Sequence, residues 1–136
     1  MPSTVVMGVI FVDIKGFPSG KYHATGTNPG NVRFVHGGVA RNVAEDMARI
    51  GIPVTFVTQG DTTPMSREAM ERLEAQKVNL TYSIHVPQNG VGLWLAVMDE
   101  KGDLAGSTSQ MPDTEPLNRY LRVQTVYVWK WIWARR

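Results

Sequence analysis

Apolar and polar positions along this chain change period several times, and each change marks an element. Val5 to Val12 is a continuous apolar run of strand length, broken only by Gly8, the pattern of a strand buried on both faces. Asn31 to Val35 alternates, with Val32 and Phe34 one way and Arg33 and Val35 the other, which predicts a short half-exposed strand. The period then becomes helical. Val39, Val43, Met47 and Ile50 fall on one face, Arg41, Glu45 and Arg49 occupy another, and Gly51 follows as a stop. Ile52 to Thr58, with Val54, Phe56 and Val57, reads as a strand again. Strand, helix and strand give a βαβ-like order, and right-handed crossover predicts a parallel pair.

The second half reads differently. Ser66 to Gln76 carries a narrow apolar stripe of Ala69, Met70 and Leu73, with Thr63-Pro64 or Ser66 as its cap and its charges as a solvated face. Leu80 to Val86 and Gly92 to Asp99 alternate and are joined by Pro87-Gln88-Asn89-Gly90, a hairpin signal. A turn at Glu100 to Asp103 leads to a short third strand near Leu104. Strands paired through turns are antiparallel, so a mixed sheet or a separate lid is expected. Lys15 to Gly30 is rich in glycine and proline and long for a loop, which favours a functional segment over a plain connection. Ser107 to Pro116 is polar loop, and Leu117 to Leu121 is a short helix at best. Three of the four tryptophans fall between Trp129 and Trp133. That tail reads as a buried strand, an exposed aromatic edge, or a membrane-interface anchor.

Composition narrows the classes. At 136 residues, 43% hydrophobic and 19% charged, the chain is long enough for one core and is not a disordered sequence. A net charge of +2 gives no nucleic-acid footprint. The absence of cysteine excludes a disulfide framework and a thiolate zinc site, and fits the reducing cytoplasm. No apolar run approaches the roughly 20 residues of a membrane span. A cytoplasmic protein with no membrane partner is therefore expected.

The candidate chemistry gathers around Gly37-Gly38. Two glycines between a strand-like run and an amphipathic helix permit a tight turn and close approach of a ligand to the backbone. Asp13 follows the first apolar run. A carboxylate there either accepts hydrogen bonds from substrate hydroxyls or caps a turn. His36 is read as a turn or surface residue rather than a general base, and His23 and His85 have no metal-ligand spacing. A dinucleotide-binding reading fails because Gly37-Gly38 lacks a third glycine and no acidic residue follows at ribose-binding distance.

Gly37-Gly38-x-x-Asn42-x-Ala44 followed by Gly51 resembles the N-terminal signature of the ribokinase-like (PfkB) family of carbohydrate and nucleoside kinases. Gly8-Val9-Ile10-Phe11-Val12-Asp13 is similar to that family's first strand and its sugar-binding aspartate. Asn28-Pro29-Gly30 with Gly38-Val39-x-Arg41-Asn42 is most similar to the pseudouridine-kinase-like branch. The resemblance spans about Val5 to Leu121. It implies an α/β chain with a partial ribokinase-like fold: a mixed, mostly parallel sheet with helices and a small β lid. Residues 1–121 would be the N-terminal portion of such a domain, with lid segments at about 14–36 and 80–106, and 122–136 an atypical tail rich in tryptophan and arginine. The resemblance further implies that Asp13, Gly37, Gly38 and Asn42 bind hydroxyls of a sugar or nucleoside, with Arg41 packing or pairing on the helix surface. Lids of this family often pair between subunits, so a homodimer through the β lid is implied as well.

Departures from the family bear on mechanism. The stretch from Gly51 to Gly60 is one residue shorter than the family signature, and Thr62 stands where a second acid is usual. Met111-Pro112-Asp113 sits where a substrate loop of the family lies. The family's ATP site and catalytic aspartate belong to a Gly-Ala-Gly-Asp motif, which does not occur in residues 1–136. ATP and magnesium are implied for the full-length family and no cofactor for this chain. No catalytic residue is assigned, and phosphoryl transfer by this chain alone is not expected. The alternative is a non-catalytic fragment, or a binding module that dimerises through its lid.

Overall fold

Gly8 breaks the first apolar run into two strands that belong to different sheets. In the computed structural model, which describes residues 4–123, β1 (Thr4–Met7) lies parallel to β4 (Val54–Val57), with Thr4 opposite Val54 and Met7 opposite Val57. Helix α1 (Val39–Arg49) connects the two sides and crosses at Gly8, where a Cβ would stand 2.4 Å from the Cβ of Ala40. The chain turns there, buries Ile10 completely and restarts as β2 (Phe11–Pro18). The expectation of one strand through Val12 is corrected by this crossing. The parallel pair predicted by the βαβ order is present.

The largest sheet is the one β2 enters. β3 (Gly30–Gly37), β7 (Gly92–Met98) and β8 (Leu104–Gln110) join it in the order β3-β2-β7-β8. β2 runs antiparallel to β3 and parallel to β7, and β7 runs antiparallel to β8 with an irregularity at Val97/Met98. The segment Lys15 to Gly30 is strand at its ends, Lys15–Pro18 in β2 and Gly30 in β3, and residues 19–29 between them are loop. Residues read as polar loop at 107–110 are the end of β8. The far ends of the sheet are tied together: the Tyr22 amide donates to Glu100 Oε2 at 2.9 Å and holds that carboxyl below the usual glutamate range.

The third sheet is short. β5 (Gln59–Gly60) and β6 (Ile84–His85) pair in parallel around α2 (Pro64–Ala75), whose N-cap Thr63 accepts a hydrogen bond from the Ser66 amide. The hairpin expected between 80–86 and 92–99 is not formed. Asn89, at φ 55°, still makes a turn, but it redirects the chain from β6 to a strand in another sheet. Residues 115–123 are helical. Three of the five strand pairings are parallel, giving the mixed, mostly parallel α/β arrangement. The tryptophan run from Trp129 lies outside the described residues.

The core joins α1, α2 and the β1/β4 pair through Phe56, Leu73, Ala69 and Ala44, all fully buried. Its α1 face is not the one the spacing predicted. Val39 is 83% and Ile50 74% exposed, while the buried side carries Ala44, Arg41 and Glu45, with Ala40, Met47 and Ala48 packed against the core. Small side chains let the helix lie close to the strands. Burial of the charged pair is tolerated because it is neutralised in place.

Glu45, 2% exposed, accepts from Arg41 Nη1 through Oε2, and through Oε1 from Arg49 Nη2 and, at 3.0 Å, from Arg72 Nη2 of α2. Arg41 is accordingly a buried partner rather than a surface residue, and the charged face of α2 is not merely solvated. Burial alone would raise the Glu45 pKa. The Arg72 hydrogen bond and the charges of Arg41, Arg72 and Arg49 outweigh it, holding Glu45 below its ordinary 4.5. A carboxylate depressed by folding adds stability that is whole above its unfolded value and is lost as pH falls through the folded one. Urea unfolding should therefore be flat from neutral pH down to the region of 4.5 and weaken below it, less steeply in Glu45→Gln. At neutral pH Glu45→Ala strands buried guanidinium charge and should cost about 3 kcal/mol. Arg49→Ala, half exposed, should cost under about 1 kcal/mol.

Candidate functional site

The site lies where β3 becomes α1. Gly38 is the N-cap of α1, at φ 98° and ψ 121°, and no side chain caps that end. A Cβ on Gly38 would approach the Val9 carbonyl oxygen at 2.6 Å and the Phe11 nitrogen at 3.2 Å, so glycine is required both by the left-handed backbone and by lack of room. Gly37 differs. The three atoms nearest its Cβ position all belong to the Asp13 side chain, Oδ1 being closest at 3.0 Å. Gly37 therefore leaves space for the Asp13 carboxylate.

Asp13 is the third residue of β2, inside the large sheet rather than at the end of the first strand, opposite Val35 on one side and Trp94 on the other. Its side chain is 21% exposed, and its Oδ2 is 3.8 Å from Lys15 Nζ. A cavity of about 490 Å³ brings Asp13 together with Gly38, Phe11, Val39, Trp94 and Ser109. One wall is apolar and aromatic, and the carboxylate and the helix start supply polarity. Such a space suits a ligand that has hydroxyls on one side and a flat or apolar surface on the other.

Asn42 is not brought into that cavity. It stands exposed in the first turn of α1, where its Oδ1 accepts from Arg41 Nε at 3.2 Å and Nη2 at 2.6 Å. His36 is partly buried on β3, with Nε2 3.5 Å from Glu68 Oε1 of α2. Met111 and Asp113 are exposed outside the cavity; the Asp113 carbonyl accepts from Gln59 Nε2.

Asp61 is a structural carboxylate. Oδ1 accepts from the Thr63 amide at 2.9 Å and the Thr63 hydroxyl at 2.6 Å, and Oδ2 from the Gly90 amide at 2.8 Å. Burial pushes its pKa up, but these donors outweigh burial and lower it. With both oxygens engaged, it joins β5, the start of α2 and the 89–91 turn.

Trp94, Ser109 and Lys15 were not singled out from the sequence. Alternation in β7 puts Gly92, Trp94 and Ala96 on one face and could have marked Trp94. Ser109 was hidden by the reading of its segment as loop. Among the described residues no three His, Asp or Glu side chains gather as metal ligands, and Asp13 is paired with a lysine.

The model for the pfkB family carbohydrate kinases matches residues 1–121, and the chain belongs to that family. Its similarity to particular members is partial. It is 34% identical over 127 residues to the guanosine-inosine kinase of Exiguobacterium acetylicum, covering 93% of this chain and 42% of that protein. It is 22% identical to the pseudouridine kinase of Escherichia coli K12, covering 79% of this chain and 34% of that protein. A crystal structure of a protein described as a sugar kinase from Clostridium perfringens superposes with a TM-score of 0.81 at 25% identity, over 93% of this chain and 40% of the other. The ribokinase of Arabidopsis thaliana shares the fold at TM-score 0.69 and 20% identity, over 80% of this chain and 36% of its own. The chain thus spans well under half the length of these relatives. The ribokinase-like fold is shown.

The two glycines separate stability from binding. Gly38→Ala should destabilise the chain by about 2 kcal/mol, from positive φ and the clash at Val9. Gly37→Ala should unfold at nearly the wild-type urea concentration while displacing the Asp13 carboxylate by a few tenths of an ångström. Equal destabilisation by both would contradict this division.

Proposed function

We propose that this chain is the substrate-binding portion of a cytoplasmic PfkB-family kinase that phosphorylates a hydroxyl of a sugar or nucleoside. The observation that carries the reading is the cavity at the β3/α1 junction, where the Asp13 carboxylate, with room left by Gly37, faces the same space as Gly38. An ionised carboxylate accepts hydrogen bonds from two sugar hydroxyls, and the helix start offers backbone donors to a third oxygen. Asn42 would assist from the adjoining turn only after exchanging its contact with Arg41. The aromatic wall of Phe11 and Trp94 favours a nucleoside over a free sugar, in keeping with the names of two of the relatives above. The cytoplasmic placement rests on the cysteine-free sequence. No helix among the described residues is long and apolar enough to cross a membrane.

Calorimetric titration of the purified chain with inosine, pseudouridine and ribose tests the reading. Saturable binding of a nucleoside that weakens at least about a hundredfold in Asp13→Ala is expected, the scale of losing two charge-assisted hydrogen bonds. A folded wild-type chain that binds none of the three would overturn it. Incubation with labelled ATP and the bound nucleoside should give no phosphorylated product, because the residues here supply neither base nor anion hole.

A second reading rests on the opposite face of the large sheet. Val32, Phe34 and Leu95 stand 64%, 63% and 45% exposed on one face. That apolar surface suits pairing with the same sheet of a second copy. Light scattering should report a dimer in the wild type and a monomer in Phe34→Asp. A monomeric wild type at high concentration would exclude it.

A further inference from the structure

Lys15 is two residues beyond Asp13 on the same face of β2. Its side chain is 29% exposed, with Nζ 3.8 Å from Asp13 Oδ2 and 5.5 Å from the centre of the Trp94 ring. The register explains why it leans that way. Directly opposite Lys15 stand Arg33 on β3 and Ala96 on β7. Ala96 is small and fully buried, so the lysine stem can pass over it toward the diagonal neighbour, Trp94. Arg33 is a like charge at cross-strand distance, and it turns the other way, onto the Phe17 ring at 5.2 Å. Each cation thus has its own aromatic ring, and the two are drawn apart along the sheet.

We propose that Lys15 is a positioning residue for ligand binding in the cavity: clamped on Trp94, it holds the Asp13 carboxylate in the orientation that receives substrate hydroxyls. The proposal rests on the reading that Asp13 binds the ligand, and adds the group that aims it. The Asp13 carboxylate lies beside Gly37, which has no side chain to fix its rotation. A point charge near Oδ2 biases the carboxylate toward one orientation and leaves Oδ1 for the ligand. The same ammonium fixes the indole, so the polar and aromatic walls of the cavity are set by one side chain.

Two measurements test this on the full chain. In proton NMR of the wild type, the Lys15 ε-methylene signals should be shifted upfield by the indole ring and return to the ordinary lysine position in Trp94→Leu. In calorimetry with inosine, Lys15→Met, which keeps the aliphatic stem, should bind about tenfold more weakly, and Lys15→Arg, which keeps charge and stacking, should recover most of the loss. Unshifted ε-methylene signals, or Lys15→Met binding as tightly as wild type, would overturn the clamp while leaving the Asp13 reading intact. A wild type that binds no nucleoside removes the Asp13 reading and the positioning role with it. Equal weakening in Lys15→Met and Lys15→Arg would mark a packing role and reject the proposal.

Discussion

The backbone at Gly38 is the constraint from which the site follows. With a positive φ and the Val9 carbonyl 2.6 Å from where a Cβ would be, the chain passes from the end of β3 into α1 in one residue. That single turn fixes three things. It starts the helix without a capping side chain, lays Ala40 against Gly8, and sets Gly37 beside Asp13. The cavity is the space left between those placements. Its chemistry then depends on few groups: a carboxylate, a helix start, and an aromatic wall.

Burial of Glu45 organises the other side of α1. Three arginines from two helices converge on one carboxylate, so the contact between α1 and α2 is specified by charge as well as by the alanines that bring the helix close. An apolar replacement could match the stability of such a group, but it would not select the same helix rotation. This also explains which face of α1 was legible. Valines at 39 and 43 follow helical spacing and look like a core stripe, yet the buried stripe is made of alanines, Met47 and a neutralised ion pair. Hydrophobic period alone cannot distinguish those two faces.

Elsewhere legibility followed the range of the interaction. The α2 cap and the β7/β8 turn rest on local signals and were readable, while the parallel β1/β4 pair, distant in sequence, was readable only through the handedness of the βαβ crossover. The split at Gly8 was not, because its cause is a helix more than thirty residues away. Residues 80–86 alternate and precede an Asn-Gly turn, but their backbone groups pair with β5, so the hairpin signal was overridden by a nonlocal partner. At the site, Asp13 and Gly38 were legible from the family motif and share the cavity. Trp94 and Ser109 enter it only through the register of a sheet whose order the sequence does not state.

The tie between Tyr22 and Glu100 has a mechanical meaning. It joins the loop after β2 to the turn after β7 at the end of the sheet farthest from α1, so the four strands are braced at the tip as well as along their ladders. β2 and β7 are neighbours in parallel register, so a bond between the segments that follow them resists sliding of one strand past the other where their ladder ends. The register that sets Trp94 beside Asp13 is thereby held from the tip as well as from the root of the sheet.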